Sequence, residues 1–297
     1  MPPTSPGPAV PRTRRPRPLA VLAAAVVLVL AGAPAAGATS GGDGVATTAA
    51  AQAVAPPPVG ARFDYQLGGA YAPAAGVGVV VRDRTAPPAP GRYSVCYVNA
   101  FQTQPQEAGW WTARYPSLVL RDGRGRPVED AGWPGELLLD TRTAATRGAL
   151  ATLVGRWLDG CADKGYRAVE LDNLDSWLRS GDRLTTAGNL AYAQLLVRRA
   201  HSRGLAVAQK NAAGLTRSQV RTAGFDFAVA EECEAYDECG AYTWVHGRHV
   251  LEVEYADGGR EAFRAACAAR GHVVPVLLRD RDVLPRGQRG HVSEQCP

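Results

Sequence analysis

The chain has 297 residues, with 33 basic and 28 acidic side chains, and 46% of its residues are apolar. This composition excludes a disordered tail and a collagen-like fibre, and the length is sufficient for one large domain or two medium ones. The formal charge of +5 would suit a nucleic-acid partner only if the basic residues were clustered in the folded part.

The N-terminal segment has the organisation of a secretory signal peptide. Residues 1–18 contain four arginines and no acid, an uncharged apolar run extends from Leu19 to Leu30, and Ala36 to Ala38 form an A-x-A cleavage site. The apolar run is short for a membrane span, which takes about 20 residues. We therefore predict a signal peptide over residues 1–38, with an uncleaved signal anchor as the alternative. The expected product is a secreted, extracellular protein with no membrane attachment after cleavage.

Cleavage also removes most of the excess charge. The leader carries four bases and no acid, so the bases and acids of the mature chain are almost equal in number. No run of Lys or Arg remains that could follow a phosphate backbone, and we expect no nucleic-acid partner.

Two segments follow the leader. Residues 39–61 are rich in Gly, Ala, Thr and Pro and lack apolar periodicity, which predicts a flexible linker. No second linker of that kind interrupts residues 62–297, which therefore predict a single folded domain.

Short apolar runs alternate with helical patterns in this domain. The strand-like runs are Phe63–Gln66, Gly78–Val81, Ser94–Asn99, Leu137–Asp140, Ala168–Asp172, Ala206–Lys210, Phe227–Ala230, Val250–Val253 and Val273–Leu278. The helical patterns are an apolar stripe from Leu150 to Cys161, Thr186–Arg203, a capping box that opens at Thr216, and Glu261–Arg270.

This alternation predicts an α/β fold, and a (β/α)8 TIM barrel has the matching size. A doubly wound sheet is the alternative. However, the sequence contains no dinucleotide fingerprint, no phosphate loop and no G-x-S-x-G motif, so it implies no cofactor.

Six cysteines in an exported chain indicate disulfides, although the sequence alone does not choose among the possible connectivities. We expect the pairs Cys233–Cys239, Cys267–Cys296 and Cys96–Cys161. Zinc is the competing interpretation, but neither the spacing of the closest cysteines nor that of the closest histidines is usual for structural zinc. We therefore predict no metal site.

Acidic side chains recur where the apolar strands end, and the carboxyl ends of the strands form the active-site face of a barrel. Glu170 and Asp172 are two residues apart and face one side of their strand, so Lys210 on the next strand is their expected partner. Solvated loop ends and helix caps are the alternative for each single acid. The charged residues at these ends are Asp140, Glu170, Asp172, Asp175, Lys210, Glu231, Glu232, Glu252, Glu254, Arg279 and Asp280.

Paired carboxylates without a metal or a nucleophile motif favour cleavage of glycosidic bonds. That reaction needs one carboxylic acid to protonate the leaving oxygen and one carboxylate as nucleophile or base. Aromatic side chains near the strand ends could stack on sugar rings or pack in the core. These side chains are Tyr65, Trp110, Trp111, Trp133, Trp177, Tyr236 and Tyr255.

Two long blocks resemble glycoside hydrolase family 114. Glu170 to Trp177 resembles its E-x-D-N-x-D-x-[WY] block, and Phe225 to Cys239 resembles its F-D-F-A-x-x-E-x-C-x-x-Y-x-E-C block. The likeness extends from about Arg62 to Cys296. Shorter matches are the aromatic-rich opening strand from Phe63, Lys210-Asn211 and Glu254-Tyr255.

The resemblance implies a TIM barrel with endo-α-1,4-polygalactosaminidase activity. Asp172 and Glu231 match the catalytic carboxylates of the family, with Asp172 as nucleophile or base and Glu231 as acid. The substrate would be a cationic amino-sugar polysaccharide, which an acidic cleft attracts. The residues expected to bind it are Tyr65, Asp140, Glu170, Asp175, Lys210, Asn211, Tyr236 and Glu254.

The chain departs from the family in two places. Glu232 stands where many members have an uncharged residue, and the segment from Asn99 to Trp111 differs from that of better-known members. Because this segment would shape the cleft, the exact polymer stays open. We expect a secreted, monomeric glycosidase, and the alternative is a carbohydrate-binding or cell-wall-associated barrel without turnover.

Overall fold

The computed structural model describes residues 54–297, so the predicted signal peptide and most of the predicted linker lie outside the described residues. The described residues belong to one compact unit. The strands are β1 (Phe63–Gln66), β2 (Val79–Asp83), β3 (Tyr93–Asn99), β4 (Ala168–Asp172), β5 (Ala206–Lys210), β6 (Phe227–Glu231), β7 (Val250–Tyr255), β8 (Val276–Arg279) and β9 (Ser293–Gln295). The helices are α1 (Ala108–Arg114), α2 (Ala144–Asp163), α3 (Thr186–Ser202), α4 (Arg217–Ala223), α5 (Cys239–His246) and α6 (Glu261–Arg270).

The sheet is a nearly closed barrel. Strands β1 to β8 pair in chain order and all in parallel, and β9 pairs with β8 in the antiparallel direction. The side chain of Gln295 on β9 donates a hydrogen bond to the Phe63 carbonyl on β1 at 2.7 Å, so β9 bridges the two ends of the sheet. The prediction of a single-domain (β/α)8 TIM barrel is confirmed.

Alternate residues of the strands fill the barrel interior, because successive side chains of a strand point to opposite faces. The inward side chains near the bottom are apolar, for example Phe63, Val79, Ala168 and Phe227, and all four are completely buried. The opposite faces of the strands pack against the helices, where a second and larger apolar cluster includes Leu150, Leu190 and Leu196. A parallel barrel therefore buries both faces of its strands.

The helix starts follow from local capping. Thr216 and Gln219 form the predicted capping box at the start of α4, and Thr143 and Thr146 form another at α2. The predicted helices at Thr186, Thr216 and Glu261 are confirmed. Helices α1 and α5 were not predicted, because their apolar patterns are short and neither begins with a side-chain cap such as the one that marks the equally short α4.

One strand prediction is wrong. Leu137–Asp140 is not a barrel strand but part of a long insertion, residues 100–143, between β3 and α2, where it makes only isolated antiparallel bridges. Leu138 and Leu139 are completely buried, which explains why the segment is as apolar as a barrel strand although it does not belong to the barrel. The insertion lies at the carboxyl end of β3 and thus beside the mouth of the barrel.

All three predicted disulfides are present. Cys96–Cys161 joins β3 to α2, Cys233–Cys239 closes the loop that follows β6, and Cys267–Cys296 ties the chain end beside β9 to α6. Within residues 54–297, no helix combines the length and the hydropathy that crossing a bilayer requires.

Candidate active site

Lys210 lies at the centre of a carboxylate cluster at the mouth of the barrel. It is the last residue of β5, and Asp172 and Glu231 are the last residues of the flanking strands β4 and β6. The Lys210 Nζ atom lies 2.8 Å from Asp172 Oδ1, 3.1 Å from Glu231 Oε2 and 3.2 Å from Glu170 Oε1. Glu170 and Asp172 share the inner face of β4, as the period of two predicts.

The separation of Asp172 and Glu231 follows from this geometry. Both carboxylates contact the same Nζ atom, so their nearest oxygens lie within about 6 Å of each other. This upper limit is compatible with the separation of about 5–5.5 Å in a carboxylate pair that forms a covalent glycosyl-enzyme.

Charge and burial act against each other on Asp172. Burial alone would raise the pKa of Asp172, but the Lys210 ammonium and hydrogen bonds from Lys210 and from the Tyr97 hydroxyl, at 2.6 Å, lower it below its ordinary value. Burial likewise lowers the pKa of Lys210, while Asp172 and Glu231 raise it well above the usual range. Asp172 is therefore an ionised carboxylate paired with a charged lysine.

Glu170 lies one layer deeper and is completely buried. The Tyr65 hydroxyl donates to Glu170 Oε1 at 2.5 Å, and Oε2 has no hydrogen-bond partner among the described residues. Burial raises the pKa of Glu170 to about 7, although Lys210 opposes the shift. Near neutral pH this carboxyl is therefore poised between its two protonation states.

Two neighbours besides Lys210 hold the Glu231 carboxylate. Tyr255 donates its hydroxyl to Oε1 at 2.6 Å, and Asn211 Nδ2 donates to Oε2 at 3.0 Å. Asn211 also accepts the backbone N–H of Glu231 at 2.9 Å. Both oxygens of Glu231 thus have fixed donors, which orients the carboxyl group at the rim.

The other residues predicted to bind substrate fall into two groups. Asp175 and Tyr236 line a pocket of about 530 Å³ whose wall also includes Glu231 and Asn211. Asp140 and Glu254 are not brought to the cluster. Asp140 pairs with Arg142 at 2.6 Å in the insertion, and Glu254 lies on the outer face of β7, where it accepts the backbone N–H of Glu234 at 2.9 Å.

The comparison of the sequence with family models is decisive at this point. Residues 44–297 match the model of glycoside-hydrolase family GH114. The chain belongs to family GH114. It is therefore a glycosidase, and the Lys210 cluster lies where a TIM-barrel enzyme carries its active site, at the carboxyl ends of the strands.

Solved structures share the GH114 fold. Ega3 from Aspergillus fumigatus, in complex with galactosamine, is 22% identical to this chain, with a TM-score of 0.64 over 82% of this chain and 98% of that one. A variant of the glycoside hydrolase domain of PelA from Pseudomonas aeruginosa is 16% identical, with a TM-score of 0.52 over 78% of this chain and 97% of that one. Among curated proteins, no significant match was found.

Glu232, which departs from the GH114 pattern, is neutralised by an ion pair. Both of its oxygens accept hydrogen bonds from Arg281 at 2.7 Å, and Arg281 also pairs with Asp257 at 3.0 Å. The Arg281 guanidinium lies 4.1 Å from the ring centroid of Tyr255, the residue that binds Glu231. This ion pair connects the loops that follow β6, β7 and β8 beside the active site of this GH114 enzyme.

Three site residues were not identified from the sequence as polar partners of the cluster. Tyr97 and Tyr255 lie on the inner faces of β3 and β7, but the alternation of residues in a strand does not show which of its faces is the inner one. Glu136 comes from the insertion, and its carboxylate accepts a hydrogen bond from Asn99 Nδ2 at 3.1 Å. Burial, followed by the charge of Asp172, raises the pKa of Glu136 to about 7. No periodic pattern in the sequence marks this position.

Proposed function

We propose that this GH114 glycosidase is secreted and cleaves an α-linked galactosamine polymer with Asp172 and Glu231 as its two catalytic carboxylates. The observation that supports this most strongly is the shared contact of both carboxylates with Lys210 Nζ. The fold similarity to Ega3, whose structure was solved with galactosamine, supports the substrate class.

In the first step Asp172 acts as the nucleophile. Its ionised oxygen forms a bond to the anomeric carbon while the glycosidic C–O bond breaks, and the leaving oxygen takes the proton of Glu231. In the second step Glu231 removes a proton from water, whose oxygen attacks the anomeric carbon. The ester bond to Asp172 breaks, and the enzyme returns to its starting state. The configuration at the anomeric carbon is retained, in agreement with the short separation of the carboxylates.

The neighbours of the two carboxylates support these roles. Lys210 and Tyr97 stabilise the anionic form of Asp172, as a nucleophile requires. Glu231 is the carboxyl that lines the open pocket, where a leaving sugar has room.

A cationic substrate fits the remaining acids of the mouth. Glu136 and Glu238 both have a raised pKa, chiefly because of burial. An ammonium group bound nearby would favour their charged forms and would be attracted in return. An amino-sugar chain carries such a group on each deacetylated residue, whereas an anionic polysaccharide would be repelled.

Export and oligomeric state belong to the same proposal. The three disulfides are stable in an oxidising compartment outside the cytoplasm, and they agree with the predicted signal peptide over residues 1–38. We also propose that the enzyme acts as a monomer, because this chain itself supplies both proposed catalytic carboxylates and the lysine between them.

Product analysis on deacetylated and acetylated galactosamine polymers tests the proposed function. We expect the wild type to cleave the deacetylated polymer, and Asp172→Asn and Glu231→Gln to lower the rate by at least about 100-fold. Asp159→Asn, which changes a surface acid paired with Arg199, is the matched control and should retain full activity. Binding of the polymer without release of products would contradict turnover and favour a carbohydrate-binding barrel.

A further inference from the structure

Of the two proposed catalytic carboxylates, only Glu231 lines the adjoining pocket. Its wall includes Glu231 and Asn211, but it receives no contribution from Asp172, Lys210 or Glu170. At about 530 Å³ it has the size of a ligand site, for which roughly 300–1,000 Å³ is typical. The open space at the mouth therefore lies on the side of the proposed acid.

This pocket has an unusual share of exposed large apolar side chains. Trp133 is 53% exposed, Leu178 is 70% exposed and Tyr236 is 62% exposed, and all three line it. They come from the insertion and from the loops after β4 and β6, and they surround the pocket rather than being scattered over the surface. Exposed aromatic and aliphatic faces grouped around a cleft mark a binding surface.

The Trp133 turn is fixed to the active site. The backbone N–H of Glu136 donates to the Trp133 carbonyl at 3.0 Å, and the Glu136 side chain binds Asn99 at the end of β3. Gly135, between them, has φ of 92°, and a Cβ atom there would lie 3.2 Å from Pro105. The backbone of the turn that carries Trp133 is thus fixed before a ligand binds. Stacking a ligand on Trp133 therefore costs less conformational entropy.

The pocket also carries uncompensated negative charge. Its two arginines already have acidic partners, since Arg179 pairs with Asp130 and Asp175, and Arg281 pairs with Glu232 and Asp257. Glu238 has no cation against it among the described residues, and burial, followed by the charge of Asp175, raises its pKa. An ammonium group would find a partner in Glu238.

We infer that this pocket binds the leaving-group half of the substrate chain, with Trp133 and Tyr236 stacking on its sugar rings and Glu238 pairing with an ammonium group. The inference rests on the proposed function, because Glu231 marks the leaving-group side only if it protonates the leaving oxygen. The substrate cleaved best would then be a chain with several sugars beyond the scissile bond, which corresponds to endo action.

A pair of substrates tests this assignment. One is a deacetylated galactosamine oligosaccharide. The other is the α-fluoride of a galactosamine disaccharide, which fills the donor side and has fluoride in place of the leaving sugar. We expect Trp133→Ala and Tyr236→Ala each to raise KM for the oligosaccharide about tenfold, a typical effect of losing one aromatic contact. Hydrolysis of the fluoride should change less than twofold, which also shows that the variants are folded.

Trp244→Ala is the matched control, because Trp244 is 71% exposed on α5 but does not line the pocket. It should leave both substrates unaffected. Equal losses on the two substrates, or no loss on the oligosaccharide, would overturn the assignment while leaving the proposed function intact. A wild type that cleaves neither substrate would overturn both.

Discussion

At the scale of single residues, Lys210 organises the site. A buried ammonium group is costly unless it is paired, and here it contacts three carboxylates, each within 3.2 Å. The nearest contact is with Asp172, which keeps that carboxylate ionised. Lys210 thus explains how an acid that is largely buried could serve as the proposed nucleophile at ordinary pH.

Replacement of Lys210 by methionine should shift the pH dependence of catalysis. Without the ammonium, the pKa of Asp172 rises, so a smaller fraction of Asp172 is ionised at each pH. The acidic limb of kcat/KM should therefore move to higher pH, by about 1–3 units, the usual effect of one close opposite charge. The measurement is the pH profile of kcat/KM on the deacetylated oligosaccharide.

Lys164 provides the control, because it is the other lysine of the chain and lies on the surface after α2. Lys164→Met should leave the profile unchanged. If Lys210→Met lowers the rate but leaves the acidic limb in place, Lys210 does not set the ionisation of Asp172.

At the scale of elements, the ends of the strands decide which acids meet. The ends of β4, β5 and β6 could be predicted, because each apolar run stops at a charged residue and neighbouring parallel strands end at the same edge. The orientation of β7 could not be predicted. Residues 251–255 alternate between apolar and acidic side chains, but all six residues of β7 are buried, so the pattern does not show that Glu254 faces outward while Tyr255 faces the site.

The disulfides connect these elements and differ in the length of chain that they close. Cys96–Cys161 spans 65 residues and Cys233–Cys239 only 6, and all four cysteines are buried. Loop-closure entropy therefore predicts a loss in unfolding free energy of about 4 kcal/mol for Cys96→Ala/Cys161→Ala and about 2 kcal/mol for Cys233→Ala/Cys239→Ala. Denaturant unfolding of the two double variants measures both values.

The disulfide whose loss destabilises the protein less, Cys233–Cys239, should be the one that matters more for activity. Cys233–Cys239 closes the loop directly after Glu231, whereas Cys96–Cys161 joins a strand to a helix on the outside of the barrel. We therefore expect the Cys233→Ala/Cys239→Ala variant to lose more activity at a temperature where both variants are folded. If the two double variants lost the same unfolding free energy and the same activity, neither the length of the closed loop nor its distance from Glu231 would determine the effect of a disulfide.

At the scale of the whole molecule, the distribution of charge says more about the proposed substrate than the net charge does. The formal charge of +5 is carried mostly by the predicted leader, outside the described residues, while the mouth of the barrel collects acids around one lysine. The barrel and its catalytic edge could be predicted from alternating elements and family blocks. The structure of the insertion could not be predicted, because it forms only isolated bridges. The two residues that it contributes to the site, Trp133 and Glu136, belong to no periodic pattern in the sequence.

The most direct test of the central claim is the configuration of the glycosyl azide that alanine variants form from the disaccharide α-fluoride in the presence of azide. In Asp172→Ala, azide can occupy the vacated nucleophile position and should give the β-azide. In Glu231→Ala, Asp172 still forms the glycosyl-enzyme, and attack by azide on that ester should give the α-azide. Nuclear magnetic resonance identifies the two products. An α-azide from Asp172→Ala together with a β-azide from Glu231→Ala would contradict the assignment of nucleophile and acid.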